Sequence, residues 1–260
     1  MALENKLKIE NFDKEVLREY DIRGVVGDNI NQNTAYTIGR TFGYTVINRL
    51  QSNIIASGYD GRLTSPDLHQ ALCEGLKDSG AKVINIGMGP TPMTYFAHYH
   101  LNADAAIMVT GSHNPSEYNG FKMVLNKHSF YAEDIQSLQK LIDQNDLKLV
   151  EGEIINEDIK IDYINRLLQN MIASNGINPN KVFLLGYSAG GDGVYQLAPR
   201  MADRFAGASM SAGHPNDASP LGLRNIGFSI HMGKNDSAYN RKLDAEEWEV
   251  KLKNLKSTVN

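Results

Sequence analysis

Two serines sit at the end of apolar runs and open glycine-containing loops, a placement suited to a reactive hydroxyl. The first is Ser112 in "VTGSHNPSEYNG", residues 109–120. Gly111 lets the backbone approach a ligand closely, Ser112 offers an acceptor oxygen, His113 can move protons near neutral pH, and Lys122 can neutralise phosphate charge. Those residue types suit phosphoryl transfer. The second is Ser188 in "LLGYSAGGDG", residues 184–193. Its Gly-x-Ser-x-Gly spacing permits a strained turn that lifts a serine oxygen off a strand end, which suits acyl transfer. Acyl transfer also needs a base, because an unassisted serine is a weak nucleophile.

The elements around each serine are legible as alternating strands and helices. "NIIAS" at 53–57 reads as a strand, followed by a helix with Ser65 as N-cap, Pro66 in its first turn, Leu68, Ala71, Leu72 and Leu76 on one face, and Gly80 as its stop. "AKVINIG" at 81–87 is the next strand, "GPTP" breaks the chain, "MTYFAHYHL" reads as helical, and "ADAAIMV" at 103–109 is a strand leading into the Ser112 loop. "FKMVL" at 121–125 reads as a further strand, and a helix over 132–144 carries Ile135, Leu138, Leu141 and Ile142. Such alternation indicates a mostly parallel sheet whose ligands sit beyond the carboxyl ends of its strands, where Ser112 falls.

A charged stretch at 151–162 and an amphipathic segment with Tyr163, Ile164, Leu167 and Leu168 place a domain boundary at 165/166. Beyond it come a strand in "NPNKVFLLG", a helix from about Gly190 to Phe205, strands in "AGASMSAG" and "NIGFSIHMG", and a last helix with Trp248, Val250, Leu252 and Leu255. The expected fold class is α/β: a three-layer N-terminal domain on a mixed or parallel sheet over 1–165, and a smaller C-terminal α/β fragment over 166–260.

Bulk composition narrows the partners. A net charge of -4 argues against nucleic acid, whose phosphates need a basic field, and points to small molecules. The single cysteine, Cys73, excludes an internal disulfide framework and makes a reducing compartment the default. No apolar run reaches the ~18 to 20 residues of a membrane span, and the start "MALENKLKIENFDKE" has too many charges for a signal peptide, so no membrane is expected and the location reads as cytoplasmic.

Five motifs in order, "REYDIRG" at 18–24, "GYDGR" at 58–62, "GMGPTP" at 87–92, "TGSHNP" at 110–115 and "NGFKM" at 119–123, resemble the first domain of the α-D-phosphohexomutases, the phosphomannomutase and phosphoglucomutase family. The resemblance implies that Ser112 is the phosphoserine that donates to a mannose or glucose phosphate and recovers a phosphoryl group from the bisphosphate intermediate. It further implies Arg23 and Lys122 as cations for that phosphate, Lys122 or His113 as general acid or base, Tyr20 and Arg62 as pocket residues, and Mg²⁺ bound through the Ser112 phosphate. The family's Asp-Gly-Asp-Gly-Asp metal loop, its sugar loop and its C-terminal phosphate loop have no counterpart here, from which impaired turnover is expected. "GGDGVY" at 190–195 has one aspartate and cannot stand in for the metal loop.

The stretch from "GYSAG" to "AGHP" looks like the middle of an α/β-hydrolase of the esterase or dienelactone-hydrolase type. Ser188 would be its nucleophile and Asp236 the acid. In that fold the histidine follows the acid, yet residues 237–260 contain none, and His214 and His231 both precede Asp236. Three readings stay open: a phosphohexomutase-type enzyme acting through Ser112, a serine esterase acting through Ser188, and a catalytically inactive chimeric chain. Exposed sheet edges in an interrupted hydrolase half make self-association an expectation of the last.

Overall fold

The computed structural model describes residues 7–255, and the first part of the charged start, residues 1–6, lies outside them. The chain divides into two compact units, 1–163 and 164–260.

In the first unit seven strands form one sheet: β1 (Ile22–Val25), β2 (Ile54–Tyr59), β3 (Lys82–Met88), β4 (Ala105–Val109), β5 (Tyr118–Leu125), β6 (His128–Ser129) and β7 (Glu153–Asn156). Their order is β1-β5-β4-β2-β3-β7, with β6 added on β5. Strands β4, β2, β3 and β7 run parallel, and β5 is antiparallel to both β4 and β1. Residues 153–156 therefore form an edge strand inside the stretch that sequence marks only as charged; with one neighbour and little to bury, an edge strand needs no apolar run.

Helices α1 (Gln32–Leu50), α2 (Ser65–Lys77) and α4 (Glu133–Asp143) cover one face, where Ile38, Phe42, Leu72, Leu76, Ile55, Ile107, Phe121 and Leu138 are buried together. On the other face α3 (Thr91–His100) and the approach to α5 (Lys160–Asn175) pack Met93, Ala97 and Ile159 on Ala56, Ile84 and Ala106. Neighbouring positions 55 and 56, and 106 and 107, thus serve opposite faces, as the two-residue period of a strand requires. Asn31 caps α1, its side chain accepting from the Asn33 and Thr34 amides while the Thr34 hydroxyl accepts from the Asn31 amide. The N-cap of α2 is Thr64, and Ser65 is its first residue, so the helix begins one residue earlier than sequence suggests. Backbones of α1 and α2 touch at Gly39 and Gly75, where a Cβ would run into the Leu72 and Tyr36 carbonyl oxygens.

The second unit has a three-stranded parallel sheet, ordered β10-β9-β8, of β8 (Phe183–Tyr187), β9 (Gly207–Ser211) and β10 (Gly227–His231). Helices α6 (Ala189–Leu197) and α7 (Arg241–Asn254) contribute Tyr195 and Trp248, whose rings meet edge-to-face at 4.5 Å. The expected helix over 190–205 stops at Leu197, just before Pro199, and continues only as a short 3₁₀ turn at Ala202–Arg204. On edge strand β8, Phe183, Leu185 and Tyr187 are 60%, 73% and 75% exposed, so that one face of the strand is open.

Phe42 is fully buried and meets Phe130 edge-to-face at 5.2 Å. Phe42→Ala is expected to lower the unfolding free energy of the first unit by about 3–5 kcal/mol, through lost burial and the cavity left behind. Urea unfolding followed by circular dichroism measures it.

Candidate active site

The carboxyl ends of neighbouring strands β2 and β4 bring two short segments together. Strand β4 ends at Val109 and the chain turns through residues 110–117 into β5; strand β2 ends at Tyr59 and runs through Asp60 and Arg62 into α2. The Asp60 amide donates to the Val109 carbonyl at 2.9 Å, which fixes the two exits side by side.

The serine loop is strongly bent. Ser112 adopts φ 53°, in the left-handed region that costs a non-glycine residue roughly 1–2 kcal/mol. Its amide donates to the Thr110 hydroxyl at 2.9 Å, and the Asn114 amide and side-chain amide both donate to the Gly111 carbonyl, at 3.0 and 2.8 Å. The result is an exposed Ser112 with exposed His113 beside it.

Arg62 reaches across this loop from the β2 side. One terminal nitrogen donates to the Pro115 carbonyl at 2.7 Å and the Tyr118 carbonyl at 3.2 Å, and the other to the carbonyls of Ser112 at 3.1 Å and Asn114 at 2.7 Å. Its Nε faces Asp60 Oδ2 at 3.4 Å, and the same carboxylate oxygen accepts from the Gly111 amide at 3.1 Å. Asp60 Oδ1 accepts from the Arg62 amide and from the Ser65 hydroxyl, at 3.1 and 2.6 Å.

On the β1 and β5 side, Asp21 lies between two cations. Its Oδ1 is 3.7 Å from Arg23 Nε and its Oδ2 is 3.9 Å from Lys122 Nζ. Arg23 also donates to the Asn114 side-chain oxygen at 3.1 Å, tying β1 to the serine loop. Tyr20, just before this group, is 74% exposed. Arg23, Arg62 and the serine loop are thus joined by hydrogen bonds, and Lys122 joins them through Asp21. Asp21, Asp60 and Asn114, to which sequence reasoning assigned no role, are the residues that connect them. Asp60 had a visible signal: an acidic residue at a strand end, two positions before an arginine.

Among the described residues no group of three or more His, Cys, Asp or Glu is placed to hold a metal ion. Asp21 and Asp60 are both engaged by cations, and Asp192 of "GGDGVY" accepts from the His214 amide at 2.6 Å. The residues present do not by themselves fit the near-octahedral oxygen set that Mg²⁺ requires.

Ser188 in the second unit follows β8 directly and opens α6 with φ 55°, ψ −122°, a sparsely populated conformation costing about 1–3 kcal/mol. Gly186 is needed there, since a Cβ would strike the Gly190 carbonyl. Ser188 lines a cavity of about 320 Å³ with Asp192, His214, Asn216, Tyr239 and Arg241. Asp236 does not orient a histidine: its Oδ1 accepts from the Ala238 amide at 2.9 Å and from Arg241 at 3.3 Å. His214 Nδ1 accepts from the Asn216 amide at 2.9 Å, and its Nε2 lies 3.3 Å from Asp244. Accepting at Nδ1 leaves the ring proton on Nε2, facing Asp244, so neither nitrogen is free to take a proton from Ser188.

The first unit is thus an α/β/α domain with an exposed serine on a bent loop at a strand's carboxyl end, fastened by Arg62 and Arg23. Residues 14–148, more than half of the chain, match the family model "Phosphoglucomutase/phosphomannomutase, alpha/beta/alpha domain I". The chain belongs to that family. It is 41% identical over 160 residues to a phosphomannomutase/phosphoglucomutase of Pseudomonas aeruginosa, covering 62% of this chain and 34% of the relative. A phosphomannomutase of Escherichia coli is 33% identical over 199 residues, 74% of this chain and 42% of the relative. The crystal structure of a phosphoglucomutase/phosphomannomutase family protein from Burkholderia thailandensis superposes with a TM-score of 0.61 at 31% identity, over 80% of this chain and 45% of that one. The chain thus spans about a third to under half the length of these relatives. Among the described residues no helix is long and apolar enough to cross a membrane.

Beneath the site, β2 is held to α2 by a buried contact of the Ser57 hydroxyl with His69 Nε2 at 3.0 Å. Burial pushes the His69 imidazole down to about 4 from its ordinary 6.5, against a smaller opposing effect of a hydrogen bond to the Ser57 backbone. The unfolded chain therefore binds this proton more tightly than the folded one. Stability from neutral His69 is fully present above pH 6.5 and is lost as pH falls toward 4, by on the order of 3 kcal/mol. Urea unfolding at about pH 7 and about pH 4.5 should show a loss in the wild type that is smaller in His69→Gln.

Proposed function

We propose that the first unit performs the phosphoserine chemistry of a hexose-phosphate mutase. Ser112 donates its phosphoryl group to a hydroxyl of mannose or glucose 1- or 6-phosphate and recovers one from the hexose bisphosphate so formed. In the donating step the sugar oxygen forms a bond to phosphorus, the bond from phosphorus to Ser112 Oγ breaks, and the sugar hydroxyl's proton passes to Oγ by way of Lys122 or His113. Arg23 and Lys122 supply positive charge for the phosphoserine dianion. Tyr20, exposed at the edge of this group, would shape the sugar pocket. The observation that carries the reading is the bent, exposed Ser112 loop tied to Arg23 by Asn114.

Phosphopeptide mass spectrometry of the purified chain tests it, before and after incubation with glucose 1,6-bisphosphate and Mg²⁺. Phosphate is expected on Ser112 and on no site in Ser112→Ala. A bare Ser112 in both samples would overturn the reading.

A second reading, acyl transfer at Ser188, is favoured by the strained backbone of that residue. It requires a base that neither Asp236 nor His214 supplies in its present hydrogen bonding. A fluorophosphonate probe is the test: covalent label on Ser188 supports the reading, and an unlabelled Ser188 ends it.

A further inference from the structure

We propose that Arg62 is a positioning residue, whose guanidinium holds the backbone of residues 111–118 in the one form that presents Ser112 Oγ for phosphoryl transfer, without itself touching the sugar phosphate. The proposal rests on the Ser112 reading above and adds a role to a residue whose place beside the pocket suggests substrate contact.

A guanidinium has five N–H donors in a rigid fork. In Arg62 four point at the carbonyls of Ser112, Asn114, Pro115 and Tyr118, and Nε faces Asp60. No donor is left for a phosphate. The four carbonyls span the whole bend, from the strained serine to the first residue of β5.

The surroundings are shaped for this use. A Cβ at Gly111 would overlap the Arg62 guanidinium, so glycine there makes room for the side chain. Asp60 orients the guanidinium and receives the Gly111 amide with the same oxygen. At the far end of the bend the Asn119 side-chain amide donates to the hydroxyls of Thr64 and Ser65, at 3.0 and 2.9 Å. Both legs of the loop are thus fastened to the single segment 60–65, at the start of α2. Lysine cannot replace this: its three donors on one nitrogen cannot meet four carbonyls spread over a plane.

A residue acting in this way controls where Oγ sits and leaves sugar-phosphate affinity alone. Misplacing a reacting atom by about 1 Å costs about 100-fold in rate. The experiment follows the initial rate of Ser112 phosphorylation from glucose 1,6-bisphosphate, over a range of its concentration, in wild type, Arg62→Lys, Arg62→Gln and Arg62→Ala. Amide hydrogen exchange of the 110–120 peptide is recorded on the same proteins without sugar. The expected result is a maximal rate about 100-fold lower in all three variants with half-saturating concentration unchanged, partial recovery of Arg62→Ala by added guanidinium ion, and faster exchange confined to the loop. Arg62→Gln and Arg62→Lys keep most of the packing and carry the test if Arg62→Ala does not fold.

Wild-type rates in Arg62→Lys and Arg62→Gln would overturn the proposal. So would a rise in half-saturating concentration at unchanged maximal rate, which would make Arg62 a substrate ligand. If wild-type Ser112 takes up no phosphate, the mutase reading falls by itself and loop exchange decides alone: unchanged protection in the variants overturns the clamp, and loss of protection confined to 110–120 upholds it.

Discussion

Between β4 and β5 the chain reverses direction over a short span, and the reversal turns the carbonyls of Ser112, Asn114, Pro115 and Tyr118 toward one point. Carbonyls gathered like this repel one another and compete poorly for water in a half-covered loop, so the bend needs a concentrated source of donors. The Arg62 side chain is that source. Much of the surrounding architecture can be understood as its support: β2 ends where it does to put Arg62 within reach, Asp60 turns the guanidinium edge-on, and Gly111 leaves the space. The parallel pairing of β2 with β4 matters in the same way, since it sets both carboxyl ends at one level.

Strands β2 to β5, strands β8 to β10 and helix α2 were legible because each is apolar with a clear period or bounded by glycine and proline. Helix α1 and strands β1, β6 and β7 were not. In α1 the buried face includes Thr37, Thr41 and Thr45, residues whose polarity hides the helical stripe. Each of these hydroxyls donates to the carbonyl four residues earlier, at 2.8 Å, so the helix satisfies its own buried polar groups without any signal in a hydropathy pattern. Strand β7 is short and half exposed, and its pairing with β3 is a long-range fact that local sequence does not carry.

The candidate site shows the same division. Ser112, Arg23, Arg62 and Lys122 stood out by residue type and by motif, and the structure joins them through hydrogen bonds and ion pairs. What sequence did not show was the wiring. Asp21 is one residue among the chain's 30 acidic ones until the β1–β5 register places it against Lys122. Asn114 looks like a turn residue until its side chain is seen bridging Gly111 and Arg23. In the second unit the motif at Ser188 announced a strained turn, and the backbone angles show one. The motif could not announce that Arg241 would take Asp236, because that pairing depends on how the stretch before α7 folds back.

Strand β8 delivers Ser188 to its turn and is also one of the two edge strands of its sheet, with Phe183, Leu185 and Tyr187 facing outward. "FLLGY" contains neither a charge nor a proline, the two features by which natural edge strands discourage a foreign strand from adding to them. An unpaired backbone edge and an apolar outer row thus lie side by side on this strand. A lysine written into β8 would be the smallest change that gives this edge the charge it lacks.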